Sequence, residues 1–274
     1  MPVSLTDIPP SSACVFAHTR CLTCGNRLAA PRCEYCDRGY VFKEGILHAI
    51  GSLRGTNAIA VGFYDGPTWP RFRHWEQIFL WFQGPGIVRA RRQVLCHLPQ
   101  SCLRILEVGI GDGENISLLP PAAEIFGVDI ALGRLQACEN RFPICSGRLA
   151  WAEAEALPFE DDFFDAAFTV GGINYFSDPS RALAEMRRVV RPGGTVVAAD
   201  ELPDLYRYNL GYMLGLEGLD QWTLRLIGLE PAFIAMVYET PARVEAAARD
   251  IWPNHCRIPI WNRLGYCLVD LVED

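Results

Sequence analysis

The stretch Ile105-Leu106-Glu107-Val108-Gly109-Ile110-Gly111-Asp112-Gly113-Glu114-Asn115 decides how the rest of the chain is read. Apolar residues and one carboxylate lead into glycines at alternate positions. The apolar run reads as a buried parallel strand. The glycines permit positive φ and let the backbone approach a ligand with no Cβ in the way. Asn115 to Leu119 is expected to open a helix whose N-terminus faces the same ligand. Strand, glycine loop and helix in that order is the arrangement of a nucleotide-type site.

The pattern is E-V-G-x-G-x-G. It is not the G-x-G-x-x-G of dinucleotide binders, and no G-K-[ST] follows it. Three further stations come after it in order: Phe126-Gly127-Val128-Asp129, Ala154-Glu155-Ala156-Leu157-Pro158-Phe159 and Val190-Arg191-Pro192-Gly193-Gly194. Together they resemble the motifs of class I S-adenosylmethionine (SAM)-dependent methyltransferases of the methyltransferase-11 or UbiE-like kind. The resemblance implies an α/β fold: a Rossmann-like, seven-stranded, mostly parallel sheet with helices on both faces. It also implies the cofactor SAM and roles for particular residues. Gly109, Gly111 and Gly113 would make room for the amino acid part and the ribose. Asp129 would accept both ribose hydroxyls, and Ile130 would lie against the adenine. Glu153, where the family usually has Asp, would accept from the adenine amine. The Ala154 N–H would donate to the ring, and Glu107 would reach the amino group through backbone or water.

The pattern on either side fits that fold. Strands are expected at 104–108, 124–129, 149–152, 166–170 and 195–199, alternating with helices as in a doubly wound sheet. Asp178-Pro179 reads as an N-cap with Pro in the first turn of a helix reaching Val190. Residues 258–260 and 265–272 are candidates for a closing hairpin. Residues 201–257 break the rhythm and carry Tyr206, Tyr208, Tyr212, Met213, Trp222, Phe233, Met236 and Tyr238. This segment is expected to form a helical cap after strand five, on the substrate side.

Two C-x-x-C knuckles stand near the start: Cys21 with Cys24, and Cys33 with Cys36. Turn glycines and a short gap let four thiolates surround one tetrahedral Zn²⁺. The alternative is four unligated cysteines in a small β element, and His18 or His48 as a ligand is a lesser one. Residues 40–47 look like the end of a zinc-ribbon module seen ahead of some methyltransferase domains. The metal is read as structural, because a segment this small buries too little apolar area to fold alone. The division expected is 1–55 for a loose leader and the zinc-ribbon-like module, and 56–274 for the methyltransferase domain. Across that boundary, 51–57 reads as a polar linker. An aromatic run of Trp69, Phe72, Trp75, Phe79, Trp81 and Phe82 follows, either capping the core or lidding the pocket. After Gly84-Pro85-Gly86 comes a second amphipathic helix over 87–98.

Composition narrows the function. The 274 residues are half apolar with a formal charge of −7. Net acidity disfavours a protein that holds nucleic acid by its phosphates. The basic cluster of Arg89, Arg91 and Arg92, with Arg71 and Arg73 upstream, reads as a solvated helix face. There is no apolar run of membrane-spanning length and no secretory pattern at the N-terminus, so a cytoplasmic protein is expected. Eleven cysteines divide into four clustered and seven scattered ones, which fits a reducing compartment.

Methyl transfer from a sulfonium is an in-line displacement that asks mainly for alignment and desolvation. Asn174 and Tyr175, after the fourth strand of the domain, are candidates to orient an acceptor, and His255 is a candidate base. The acceptor is expected to be a small apolar or aromatic molecule under the aromatic cap. A base in ribosomal RNA is a rival, because a zinc module ahead of such a domain is similar to the arrangement in the rRNA guanine-N1 methyltransferases. Arg20, Arg27, Arg32, Arg38 and Lys43 around the knuckles keep that rival open. A protein substrate recruited through the zinc module is the third reading.

Overall fold

The computed structural model describes residues 18–70, 72–74, 86–202, 213–226, 228–239 and 243–273. The leader, Arg71, Trp75, Phe79, Trp81, Phe82, Gly84-Pro85, Tyr206, Tyr208 and Tyr212 lie outside them, as does the side chain of Tyr238. In chain order the strands are β1 (Val41–Lys43), β2 (Ile46–His48), β3 (Arg104–Val108), β4 (Glu124–Asp129), β5 (Leu149–Trp151), β6 (Phe164–Val170), β7 (Val190–Glu201), β8 (Cys256–Ile260) and β9 (Gly265–Leu271). The helices are α1 (Gly55–Tyr64), α2 (Ile87–Leu95), α3 (Leu132–Arg141), α4 (Pro179–Val189), α5 (Glu217–Leu226), α6 (Pro231–Glu239) and α7 (Arg243–Ile251).

Among the described residues one sheet of nine strands runs β1-β2-β5-β4-β3-β6-β7-β9-β8. The expectation of seven is corrected at one edge. β1 and β2 form the hairpin that follows the cysteine knuckles, and β2 pairs in parallel with β5, Leu47 opposite Ala150 and His48 opposite Trp151. This pairing gives the backbone groups of β5 partners on the side away from β4. At the far edge, β9 runs antiparallel to β7 and β8 antiparallel to β9, the closing hairpin that was expected.

The central strands are buried on both faces, and their side chains alternate between two cores. Leu106, Val108, Phe126, Val128, Val196 and Ala198 face α4 and α7, where Leu183, Met186, Ala248 and Trp252 complete the layer. Ile105, Ile125, Ala166, Phe168, Val197 and Ala199 face α2 and α3, against Val94, Leu95, Leu135 and Cys138. Period-two alternation between two apolar layers is what a doubly covered parallel sheet requires.

Two local expectations change. The helix expected after the glycine loop is a single 3₁₀ turn, Ile116–Leu118. Pro120 and Pro121 follow at once. Their rings remove two backbone donors and would clash with the preceding turn, so the helix cannot propagate. Within the expected linker, α1 begins at Gly55, tied there by hydrogen bonds between Asn57 and Ser177.

α4 starts as its sequence implies. The Asp178 carboxylate accepts from the Arg181 N–H at 3.0 Å, and Pro179 holds the first turn. Asp178→Ala is therefore expected to lower stability by about 1 kcal/mol. Urea unfolding should show an earlier midpoint at unchanged slope, and an unmoved midpoint would count against the cap.

Candidate functional site

The parallel strands β3, β4 and β6 end on one side of the sheet, and the glycine loop crosses there. Gly109, Gly111 and Gly113 all adopt positive φ, at 78°, 55° and 79°. The space beside them differs. A Cβ on Gly111 would meet nothing within 4 Å, and on Gly109 only Thr169 Oγ1 at 3.9 Å. A Cβ on Gly113 would stand 2.6 Å from Ile116 and 2.9 Å from both Cys138 and Phe142. The first two glycines leave room for a ligand, whereas the third is required by packing.

Asp129, at the end of β4, ties the loop in place. One carboxylate oxygen accepts the Gly111 N–H and the other the Ala131 N–H, both at 2.8 Å. The Ile130 N–H also pulls on this carboxylate, whose four lone-pair sites still leave capacity for an incoming hydroxyl. Burial pushes this acid up and the backbone donors pull it down, leaving it at about 6. Asp65, just after α1, adds a repulsive charge and lies against Gly133, where a Cβ would stand 2.9 Å from its carboxylate. No sequence pattern marked Asp65 as a neighbour of Asp129.

Glu107 is buried. Its Oε1 accepts from the Asn115 amide at 2.6 Å, while Oε2 is enclosed without a partner. Burial pushes this acid to about 8, against the opposing pull of Asn115 and Arg91. Thr169 Oγ1, beside Gly109, is also buried without a partner. Two orphaned polar atoms flanking an open glycine loop fit a polar ligand such as the amino acid end of SAM. Arg73 pairs with Asp112 at 2.8 Å and with Glu114, and Arg91 with Glu114 and, at 2.8 Å, Asn115. These arginines neutralise the acidic loop, a correction to their reading as a solvated face; Arg89 and Arg92 are exposed as expected.

Asn57 organises the other side of the pocket. Its amide donates to Glu153 Oε1 at 3.1 Å and to the Glu155 carboxylate at 3.1 and 3.2 Å, and its Oδ1 accepts the Ser177 N–H. Ala154 between those acids is buried, and Trp151 Nε1 donates to the Ile130 carbonyl at 2.8 Å. Ile130, Glu153 and Ala154 therefore lie along one side of the strand ends with Asp129. Asn57 escaped the sequence reading, which placed it at the end of a polar linker.

At the end of β6 the expected acceptor residues separate. Asn174 is buried and bonded on both sides of its amide. It donates to the Glu201 carbonyl at 2.8 Å and accepts from Tyr266 Oη at 2.8 Å. Its N–H and that of Gly172 are held by Asp200, which burial pushes to about 6. Asn174 thus braces the loop that leaves β6. Tyr175 donates to Glu201 Oε1 at 3.0 Å, and its ring centroid lies 5.9 Å from that of Phe233. Burial and the Glu201 charge push its phenol well above 10. His255 precedes β8, with Nδ1 2.6 Å from the Trp252 carbonyl. Its neighbour Cys256 pairs with Val269, which stands opposite Val197, four residues before the end of β7. His255 therefore lies before the last turn of the sheet edge and is not brought against the glycine loop by these pairings.

The cap is aromatic. Phe63 stacks on Phe233 at 3.9 Å between centroids and meets Trp69 and Phe72 edge-on at 5.5 and 5.3 Å. Leu229, Ile234 and Met236 complete this third cluster, with Tyr175 packed against it.

The sulfurs of Cys21, Cys24, Cys33 and Cys36 all lie within 4.8 Å of one another. Four thiolates at about 2.3 Å from one Zn²⁺ would stand about 3.8 Å apart. Burial pushes the Cys21 thiol up, but hydrogen bonds from Tyr40 and the Cys24 and Thr23 N–H groups outweigh it and hold it at about 6. The two histidines near the module take other places. His18 stacks on Phe163 at 4.2 Å, and His48 meets Trp151 edge-on at 5.2 Å.

Residues 106–198 match a family model described as a methyltransferase domain. The phthiotriol/phenolphthiotriol dimycocerosates methyltransferase 1 of Mycobacterium ulcerans (strain Agy99) is 34% identical over 39% of this chain and 41% of its own length. The demethylmenaquinone methyltransferase of Renibacterium salmoninarum is 36% identical over 35% of this chain and 40% of its own length. The ubiquinone/menaquinone biosynthesis C-methyltransferase of Geobacter sp. (strain M21) is 36% identical over 54% of this chain and 66% of its own length. The chain spans about two fifths of the length of the first two of these relatives. A crystal structure of a SAM-dependent methyltransferase, possible histamine N-methyltransferase, from Thermotoga maritima shares the fold at a TM-score of 0.50. It is 16% identical, and the match covers 80% of this chain and 100% of that one.

The acidity of Glu107 sets a pH dependence. Below its ordinary value of 4.5 the group is neutral in folded and unfolded chain alike, and the stability of burying it neutral is fully present. That contribution is lost as pH rises through about 8. Glu107→Gln keeps the neutral shape and the Asn115 contact. Its stability relative to the parent should rise between pH 5 and 8, by at most about 1.4 kcal/mol per pH unit. Urea midpoints across that range provide the measurement, and a constant difference would refute the assignment.

Proposed function

The chain carries a class I SAM-dependent methyltransferase domain, and from that premise we propose that it methylates a small apolar or aromatic acceptor. The observation that carries the proposal is the juxtaposition at the strand ends. A glycine loop with open space at Gly109 and Gly111 lies on one side, and the cluster around Phe63, Phe233 and Tyr175 on the other. The relatives named for quinone and lipid acceptors support the same class. So does the outer side of the cap, where Leu219, Trp222 and Leu226 are exposed along α5.

The residue roles follow from position and chemistry. Asp129 would accept the two ribose hydroxyls with its remaining lone pairs, as charge-assisted bonds. Ile130 and Ala154 would bracket the adenine, and Glu153, oriented by Asn57, would accept from its amine. Glu107 Oε2 and Thr169 Oγ1 would take the amino acid end. When bound, SAM supplies an activated sulfonium methyl. The aromatic cluster would exclude water from the acceptor, and the Tyr175–Glu201 pair would orient it.

The basic residues of the cysteine module weigh against an RNA acceptor. Arg20 pairs with Asp161, Arg27 with Glu160, Arg32 with Asp37 and Lys43 with Glu44. Arg38 donates to Thr23 and lies over the Tyr40 ring. Paired charges of this kind make a weak phosphate channel. The four cysteines are assigned to one structural Zn²⁺, a reading supported by the convergence of their sulfurs.

Two measurements test the proposal. Asp129→Ala should weaken S-adenosylhomocysteine binding by about 1.5–3 kcal/mol in calorimetry; unchanged affinity would reject the role of Asp129. With methyl-labelled SAM, label should enter a small-molecule extract and not RNA or cell protein. Label in RNA, with transfer falling steeply as salt rises, would overturn the acceptor class.

A further inference from the structure

Besides the β1–β2 turn, where the Gly147 N–H donates to the Gly45 carbonyl and Gln136 to Glu44, the cysteine module meets the domain at two places on the adenosine side of the pocket. The first is the strand edge. The Ala49 N–H donates to the Trp151 carbonyl at 3.0 Å, directly after β2 pairs with β5. Trp151 in turn pairs with Asp129 and holds the Ile130 carbonyl through its indole N–H. The second is the segment that continues from Glu153 and Ala154. The Arg20 N–H donates to the Pro158 carbonyl at 3.3 Å, the Glu160 N–H to the His18 carbonyl at 3.1 Å, and Thr19 bridges Phe159. Arg20–Asp161 and Arg27–Glu160 at 2.9 and 3.0 Å close this seam. Cys21, the next residue along, is in the same buried cluster as Ala154, Leu157 and Phe159.

We propose that the four-cysteine centre is a positioning element of the cofactor pocket: with the metal bound, the module holds Trp151 and the 153–160 segment in the arrangement that receives adenosine. This rests on the zinc and SAM readings above. The physical basis is that the module has little core of its own. Among its described residues Cys21, Leu28, Cys33 and Tyr40 are the large buried apolar side chains before β2. The metal would therefore provide much of its folding free energy. Loss of the metal releases the module's half of the seam. The other half persists, because Glu185 accepts the Leu157 N–H and Arg188 donates to the Leu157 and Phe159 carbonyls. Cofactor affinity should weaken without vanishing.

Thermodynamic coupling is reciprocal, which makes the idea testable without an activity assay. S-adenosylhomocysteine affinity is measured by calorimetry on metal-loaded and metal-stripped protein, and zinc affinity by chelator competition with and without saturating S-adenosylhomocysteine. Removing the metal should weaken S-adenosylhomocysteine by about 5- to 150-fold, and saturating S-adenosylhomocysteine should tighten zinc by the same factor. The double variant Arg20→Ala/Arg27→Ala should keep its zinc and still lose S-adenosylhomocysteine affinity. Arg32→Ala, whose partner Asp37 lies within the module, should lose none. Equal affinity of loaded and stripped protein, zinc affinity indifferent to S-adenosylhomocysteine, or an unaffected double variant would each overturn the coupling. Failure of the loaded parent protein to bind S-adenosylhomocysteine would remove the cofactor reading, and absence of bound metal the zinc reading, so the three failures are distinct.

Discussion

The Asp129 carboxylate, accepting one N–H from Gly111 and one from Ala131, is the interaction on which the site depends. It joins the end of β4 to the loop leaving β3 and to the start of α3. Without it the glycine loop would have no fixed relation to the neighbouring strand. Because the loop adopts positive φ at Gly109 and Gly111, its backbone turns away from a space that side chains would otherwise fill. Binding and shape thus come from the same few atoms. Asp129 uses part of its lone-pair capacity for the fold and retains the rest for a ligand.

Around that point the site gathers acids. Glu107, Asp112, Glu114, Asp129 and Asp65 are all close, and the fold answers with Arg73 and Arg91 on the rim and with burial of Glu107. A buried acid near neutrality is costly to ionise without a cation. A cationic cofactor would lower that cost, so the electrostatics favour SAM over an anionic nucleotide. The arginines contributed by 72–74 and α2 tie those segments to the glycine loop as well as to the core.

The nine-stranded sheet changes the meaning of the cysteine module. A hairpin of three-residue strands has marginal stability alone. Joined to β5, it becomes part of a continuous sheet and shares a hydrophobic cluster with the segment following the fifth strand. The module is thereby tied to the ends of β4 and β5, beside Asp129 and Ile130.

Much of the architecture was legible in the residues alone. The glycine spacing, the acid ending β4, the Asp178 cap and the two C-x-x-C pairs are local patterns, and each marks a backbone conformation or a ligand chemistry set within a few residues. The pairing of β2 with β5 was not legible, because three-residue strands carry no periodicity and their partner lies a hundred residues away. Nor were Asn57, Asp65 and Asp200, single polar residues whose importance comes from what they meet across the fold. The same limit explains Asn174 and His255. Chain position put both near the chemistry, but tertiary contacts made Asn174 a brace between β7 and Tyr266 and set His255 against the Trp252 carbonyl. Sequence by itself determined the strand, the turn and the donor set. Tertiary structure decided which polar groups still have a hydrogen bond to give, because that depends on neighbours only folding brings within 3 Å.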